Sequence, residues 1–136
     1  LGTDTVVGMY ASQVWRRSTR VYGDGGCFLF RLTPDARCWK WQPRSDGTLL
    51  DQVDLEEEKT ALLEQFMVGT AKYISMGGNP DGSCGLRLNE DLTRGESAPA
   101  VGFENEPLHG QGRSSVFDVG VVEVYGLARQ IDGRRV

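Results

Sequence analysis

The fold class predicted for this chain of 136 residues is α+β but mostly β: an antiparallel two-sheet β-sandwich with one or few peripheral helices. Three observations predict it. The chain has 18 glycines, about twice the usual share, which favours turns and short strands over long helices. Its apolar runs are short and are separated by Gly, Pro, Asn and Asp clusters at regular spacing. Only one stretch shows helical periodicity.

In chain order, Leu1 to Tyr10 reads as a strand broken at Gly8. Ala11 to Arg20 is a connector in which Ser12 caps one helical turn and Val14 and Trp15 anchor it. After the turn cluster Tyr22–Gly26, the continuous apolar run Cys27–Leu32 predicts a strand covered on both faces. Pro34–Asp35 turns the chain into Cys38–Trp41, where Trp39 and Trp41 share one face, giving an antiparallel hairpin. Asp54–Phe66 is the predicted helix, with Asp54 as N-cap, Glu57 completing a capping box, and Leu55, Leu62, Leu63 and Phe66 on one side. Short strands follow at 66–68, 72–76 and 85–88, with Leu86 and Leu88 inward. Ala98 to Phe103 is expected to extend. Val116–Leu127 reads as a long strand with a bulge at Gly120, and 130–136 as a polar tail.

A chain of this length buries roughly two-thirds of its unfolded surface, enough for one core. The net charge of −4 gives no footprint for nucleic acid or an anionic membrane, and no partner of either kind is expected. The basic clusters Arg16, Arg17, Arg20 and Arg129, Arg134, Arg135 read as solvated faces. Cys27, Cys38 and Cys84 are odd in number and widely spaced, which reads as a reduced, cytoplasmic chain. No apolar run approaches the roughly 18 residues a membrane span needs, so no direct membrane insertion is expected.

No constellation carries recognisable chemistry. The 77–85 glycine loop lacks the Gly-Lys-Ser/Thr ending of a phosphate loop and lies between two strands. Asn79, Asp81, Asn89 and Asp91 do not follow the spacing of a calcium loop. Cys27 reads as buried and inert, and Cys84 as the more exposed thiol, with the chain's single histidine, His109, as its one available base. Nothing implies a metal, a cofactor or an enzyme, so Cys84 stands as the residual catalytic candidate.

The order and spacing of several residues resemble the TLDc domain, the module of oxidation-resistance proteins and their relatives. The resemblance runs through Val7–Tyr10 with Trp15 downstream, then Tyr22–Phe30 and Trp39–Trp41. Its densest part is Gly77, Gly78, Gly85, Leu86, Leu88, Asp91, Leu92, Gly95, Ser97, Phe103, Asn105, Pro107 and Leu108, and it closes on Glu123–Gly126. Departures are Ala100 in place of the family's frequent Cys, Gly102 in place of Thr, and Tyr125 in place of Trp. Residues about 42–64 resemble an insertion in a usually short loop, and the family's opening helical portion is not matched. The 136 residues are therefore expected to be a partial TLDc-like domain.

The resemblance implies a β-sandwich without an enzymatic centre. It also implies a link to oxidative-stress resistance and binding to the cytosolic, peripheral sector of the V-ATPase. A structural part in a cytoskeletal or ciliary assembly is the alternative from a different class. Ala100 puts any cysteine-based redox role of that position in doubt. Gly77, Gly78, Gly85, Gly95, Ser97, Phe103, Asn105, Leu108 and Glu123 are expected to specify the fold. The charged turn residues Glu90, Asp91, Arg94, Glu96, Glu104 and Glu106 are expected to meet a partner.

Overall fold

The computed structural model describes residues 4–43, 55–110 and 115–126, and the backbone of 130–131 and 134–135. Strands β1 (Val6–Tyr10), β2 (Phe28–Thr33) and β3 (Arg37–Lys40) form one antiparallel sheet with β2 in the middle. A helix α1 (Glu56–Leu63) follows. Strands β4 (Met67–Gly69), β5 (Tyr73–Met76), β6 (Leu86–Asn89), β7 (Arg94–Glu96) and β8 (Val116–Asp118) then form a five-stranded antiparallel meander. Strands β9 (Gln130–Ile131) and β10 (Arg134–Arg135) pair with each other. The mostly-β, two-sheet class read from the sequence is what the chain adopts.

The two sheets close on a core to which both contribute. Leu29 of β2, Met67, Met76 and Leu86 of the meander, and Phe103 and Leu108 of the following loop are buried together. Period-two alternation places them there: Met76 and Leu86 are register partners in adjacent strands, and Leu88 lies opposite Gly95. Trp39 and Trp41 pack against this core from one face of the β3 segment. Tyr22 couples the two halves through a backbone bridge to Met67.

Several local expectations are corrected. Gly8 does not break β1, because it pairs with Phe30, whose ring occupies the space a Cβ would need (2.3 Å to the nearest ring atom). The connector after β1 has no helical turn. The Ser12 hydroxyl instead accepts from the Asp24 amide (3.0 Å) and bonds the Cys27 thiol (3.3 Å), while Val14 is 85% exposed and anchors nothing. β2 is covered on one face only: Leu29 and Arg31 point inward, whereas Leu32 is exposed. Its outer aromatics shelter one another, with Tyr10 stacked on Phe28 at 4.8 Å.

The helix is shorter than expected. Leu55 occupies the N-cap position without a side-chain cap bond and is exposed, and none of the helix residues is buried. The predicted cap Asp54 lies outside the described residues. What seats α1 is its C-terminal end, where Trp41 Nε1 donates to the Leu63 carbonyl (2.7 Å). That carbonyl comes so close to Gly102 that a Cβ there would sit 2.7 Å from it. Residues 98–103 do not extend but turn, with the amides of Phe103 and Glu104 both bonded to the Ala100 carbonyl. The long strand expected at 116–127 stops at Asp118. Its partner β7 is only three residues long, and the last bond of the pair runs from the Val119 amide to the Thr93 carbonyl (2.8 Å). Beyond it Val121, Val124 and Tyr125 are exposed, and nothing crowds Gly120.

Candidate functional site

The stretch 75–108 divides into a buried polar frame and exposed turns. Its glycines allow close approach. Gly77 has φ +80° and lies against Ala100 and Phe103, a position that favours glycine for its backbone as well as its size. A Cβ on Gly85 would stand 2.5 Å from Leu29 Cδ1, and one on Gly95 would stand 2.4 Å from the Phe117 ring. Gly78 is packed against Gln65 with less crowding.

Two buried side chains hold three loops to this frame. Ser97 Oγ donates to the Gly85 carbonyl (2.6 Å) and accepts from the Leu108 amide (2.8 Å). Asn105 Oδ1 accepts from the Ala100 amide (3.0 Å), while its Nδ2 donates to the carbonyls of Ala98 (3.0 Å) and Glu106 (2.9 Å). Phe103 and Leu108 fill the core beneath them. Asn79 adds a third clamp, accepting from the Val101 amide (3.1 Å) and donating to Ser83 Oγ (2.8 Å). Glu123, in contrast, is exposed, and its carboxylate accepts from the Tyr125 hydroxyl.

Arg31 is the residue that reading the sequence missed. Its side chain is 6% exposed and donates to the Leu108 carbonyl (3.2 Å), to Asp35 and to Glu106 Oε1 (2.8 Å). Burial works against its charge, but the bonds to Glu106 and Asp35 outweigh it and hold the guanidinium above its ordinary pKa. Arg37 meets the same Glu106 oxygen at 2.8 Å, and both guanidinium groups lie over Trp39. This pins the 105–108 turn onto the β2–β3 hairpin.

The six charged turn residues therefore separate into two groups. Glu106 is spent in that clamp, and Glu96 in a 2.6 Å pair with Arg87. Arg94 is exposed and reaches Asp118 at 3.8 Å. Glu90, Asp91 and Glu104 are exposed. The β6–β7 turn that carries two of them is locked. Asn89 Oδ1 accepts from the amides of Thr93 and Arg94, both at 3.0 Å, and Asp91 Oδ1 accepts from the Thr93 hydroxyl at 2.6 Å. Those bonds hold the Asp91 carboxyl below its usual pKa. They also hold Leu92, 40% exposed, at φ +60°, a conformation that a branched side chain rarely adopts. The tip thus presents Glu90 and Leu92 on a rigid base.

Cys84 is buried rather than the more exposed thiol, since glycine-loop composition does not reveal that its thiol lies against Ser75 of β5 and the Gly82 carbonyl. Cys38 is the exposed one. Burial pushes the Cys84 thiol pKa up, with the Ser75 hydrogen bond and the Arg87 charge opposing, which is the wrong direction for a ready thiolate. His109 packs on Phe117 at 4.7 Å. Among the described residues no three His, Cys, Asp or Glu side chains gather as a metal site, and no helix is long and apolar enough to cross a membrane.

Comparison with known proteins agrees with the resemblance in the sequence. The family model of the TLDc domain matches residues 2–128. Oxidation resistance protein 1 of Kluyveromyces lactis is 30% identical, the alignment covering 88% of this chain and 48% of that protein. TBC1 domain family member 24 of Xenopus tropicalis is 24% identical, covering 93% of this chain and 28% of that protein. Nuclear receptor coactivator 7 of Gallus gallus is 27% identical, covering 76% and 9% respectively. The chain thus spans less than half the length of each of these relatives.

Proposed function

This chain belongs to the TLDc domain family, and from that premise we propose that it is a non-enzymatic protein-interaction module. Its partner is the peripheral sector of the V-ATPase, met in the cytoplasm, and its activity contributes to resistance against oxidative stress. The oxidative-stress reading follows the name of the Kluyveromyces lactis relative; the V-ATPase reading follows the family resemblance.

One observation carries the proposal: the β6–β7 turn holds an exposed leucine at positive φ beside Glu90, on a base fixed by Asn89 and Asp91. A strained, exposed apolar residue held in place by polar side chains costs stability, and such costs concentrate where a surface is used. The buried frame around Ser97 and Asn105 supports the same reading, because its polar atoms are occupied in holding loops.

The test is purification of the tagged full-length protein from its own cells, with proton pumping measured in vesicles with and without it. Co-purification of peripheral V-ATPase subunits and an altered pumping rate are expected, and Cys84→Ala should change neither. Absence of those subunits together with unaltered pumping would refute the partner. Loss of function in Cys84→Ala with an intact fold would refute the non-enzymatic part.

A further inference from the structure

The chain carries 19 acidic residues, yet none falls between Thr5 and Gly23 or between Gln65 and Asn79. The fold brings these two acid-free segments together. The Ser18 amide donates to the Gly69 carbonyl (2.9 Å), and Tyr22 and Met67 exchange backbone hydrogen bonds at 3.0 and 2.8 Å. The Tyr22 hydroxyl fastens the loop from inside, donating to the Arg16 carbonyl and accepting from the Arg16 amide, both at 2.7 Å. Gly69 leaves room for that crossing, since a Cβ would lie 2.1 Å from the Arg16 carbonyl oxygen.

Residues 17–20 therefore sit alongside the β4–β5 turn that carries Lys72. Arg17, Arg20 and Lys72 are exposed, and among the described residues none of them is in an ion pair. Val14 on the same loop is 85% exposed. From Lys72 a depression of about 270 Å³ continues across the outer face of the meander, past Tyr73 and the Arg87–Glu96 pair, in which the carboxylate is neutralised, to Arg94.

We propose that this basic end, Arg17, Arg20 and Lys72 with the adjoining depression at Tyr73 and Arg94, is a docking surface for an acidic protein segment with apolar anchors. Arginine forks bind carboxylates in two-point fashion. The depression accepts a side chain, which a flat lipid surface does not supply. The chain's overall charge of −4 opposes a long-range polyanion such as a membrane or nucleic acid more than a short acidic segment. The surface adjoins the β6–β7 tip, since Tyr73 pairs with Asn89 and both line the depression, but its test reads peptide binding at Arg17, Arg20 and Lys72, so failure of V-ATPase co-purification leaves it standing.

The experiment measures fluorescence anisotropy of a short labelled peptide rich in glutamate with two leucines, mixed with the full-length protein. The glutamine counterpart, phosphatidylserine vesicles and single-stranded DNA serve as comparators. The glutamate peptide should bind and its glutamine counterpart should not. Binding should weaken about ten- to hundredfold in Arg17→Gln/Arg20→Gln/Lys72→Gln, and it should weaken as salt shortens the screening length. Arg17→Glu alone, with its fold checked by circular dichroism, provides a second reading of the same loss. No binding of the glutamate peptide, equal binding of the glutamine peptide, or unchanged binding by both variants would overturn the proposal. Tighter binding of vesicles or DNA than of the peptide would overturn the choice of occupant.

Discussion

Replacing Asn105 by alanine tests the buried frame most sharply. The residue is 3% exposed, and its side chain makes three hydrogen bonds, at 2.9 to 3.0 Å, to the Ala100 amide and the Ala98 and Glu106 carbonyls. Each such bond contributes about 1 kcal/mol net, so Asn105→Ala should cost about 3 kcal/mol, with more if the buried Ala100 amide finds no water. Against a total stability of roughly 5–15 kcal/mol, that is a large loss. Urea unfolding should show the midpoint falling by about 1–3 M at unchanged slope. Asn105→Asp provides an internal control on chemistry. It keeps the acceptor for Ala100 but turns a carboxylate oxygen toward two carbonyls. That environment raises the folded pKa of the introduced carboxyl, so its stability is greatest at low pH and is lost as pH rises through the folded value. Its deficit against the wild type should therefore narrow on acidification. A loss below about 1 kcal/mol for the alanine variant, or a pH-independent deficit for the aspartate variant, would refute the reasoning.

Three further outcomes are expected. Gly95→Ala places a Cβ 2.4 Å from the Phe117 ring and should cost about 1–3 kcal/mol by overpacking, read from the thermal midpoint. A thiol reagent should label exposed Cys38 in the native protein, while buried Cys27 and Cys84 should react only on unfolding, as mass spectrometry of labelled peptides would show. Hydrogen bonds from Ser83 and Thr93 hold the carboxyls of Asp81 and Asp91 below their usual range. Their contribution to stability is present above the unfolded value of about 3.9 and is lost as pH falls through the lower folded values. The urea midpoint should thus drop below about pH 4, and Asp81→Asn/Asp91→Asn should flatten that drop.

The strands of the meander were legible because turn residues punctuate them and because Met76, Leu86 and Leu88 alternate in step with the pleat. The spacing of Gly77, Gly85, Gly95, Ser97 and Asn105 carried the family resemblance; in the structure a Cβ on the three glycines would meet a neighbour at 2.4 to 2.8 Å, and Ser97 and Asn105 bond backbone groups of other loops. What failed to show was whatever depends on distant partners. An apolar run gives no sign that Arg31 faces inward, because the carboxylate that compensates it, Glu106, lies 75 residues away. For the same reason Glu106 read as a surface charge. The strand pattern of 116–127 is locally sound, yet pairing ends where the three-residue β7 ends. Cys84 looked open because burial is imposed by strands elsewhere in the sequence. Leu92 at positive φ had no signal at all, since its turn chemistry resides in Asn89 and Asp91.

The β6–β7 tip offers the most direct test of the central claim. Leu92→Gly relieves a left-handed backbone and should raise stability by about 1 kcal/mol while removing the exposed side chain. The decisive measurement is the affinity of the full-length Leu92→Gly/Glu90→Lys protein for the purified peripheral V-ATPase sector, beside its unfolding midpoint. An interaction module predicts weaker binding by a protein at least as stable as the wild type. Undiminished binding by that variant would contradict it.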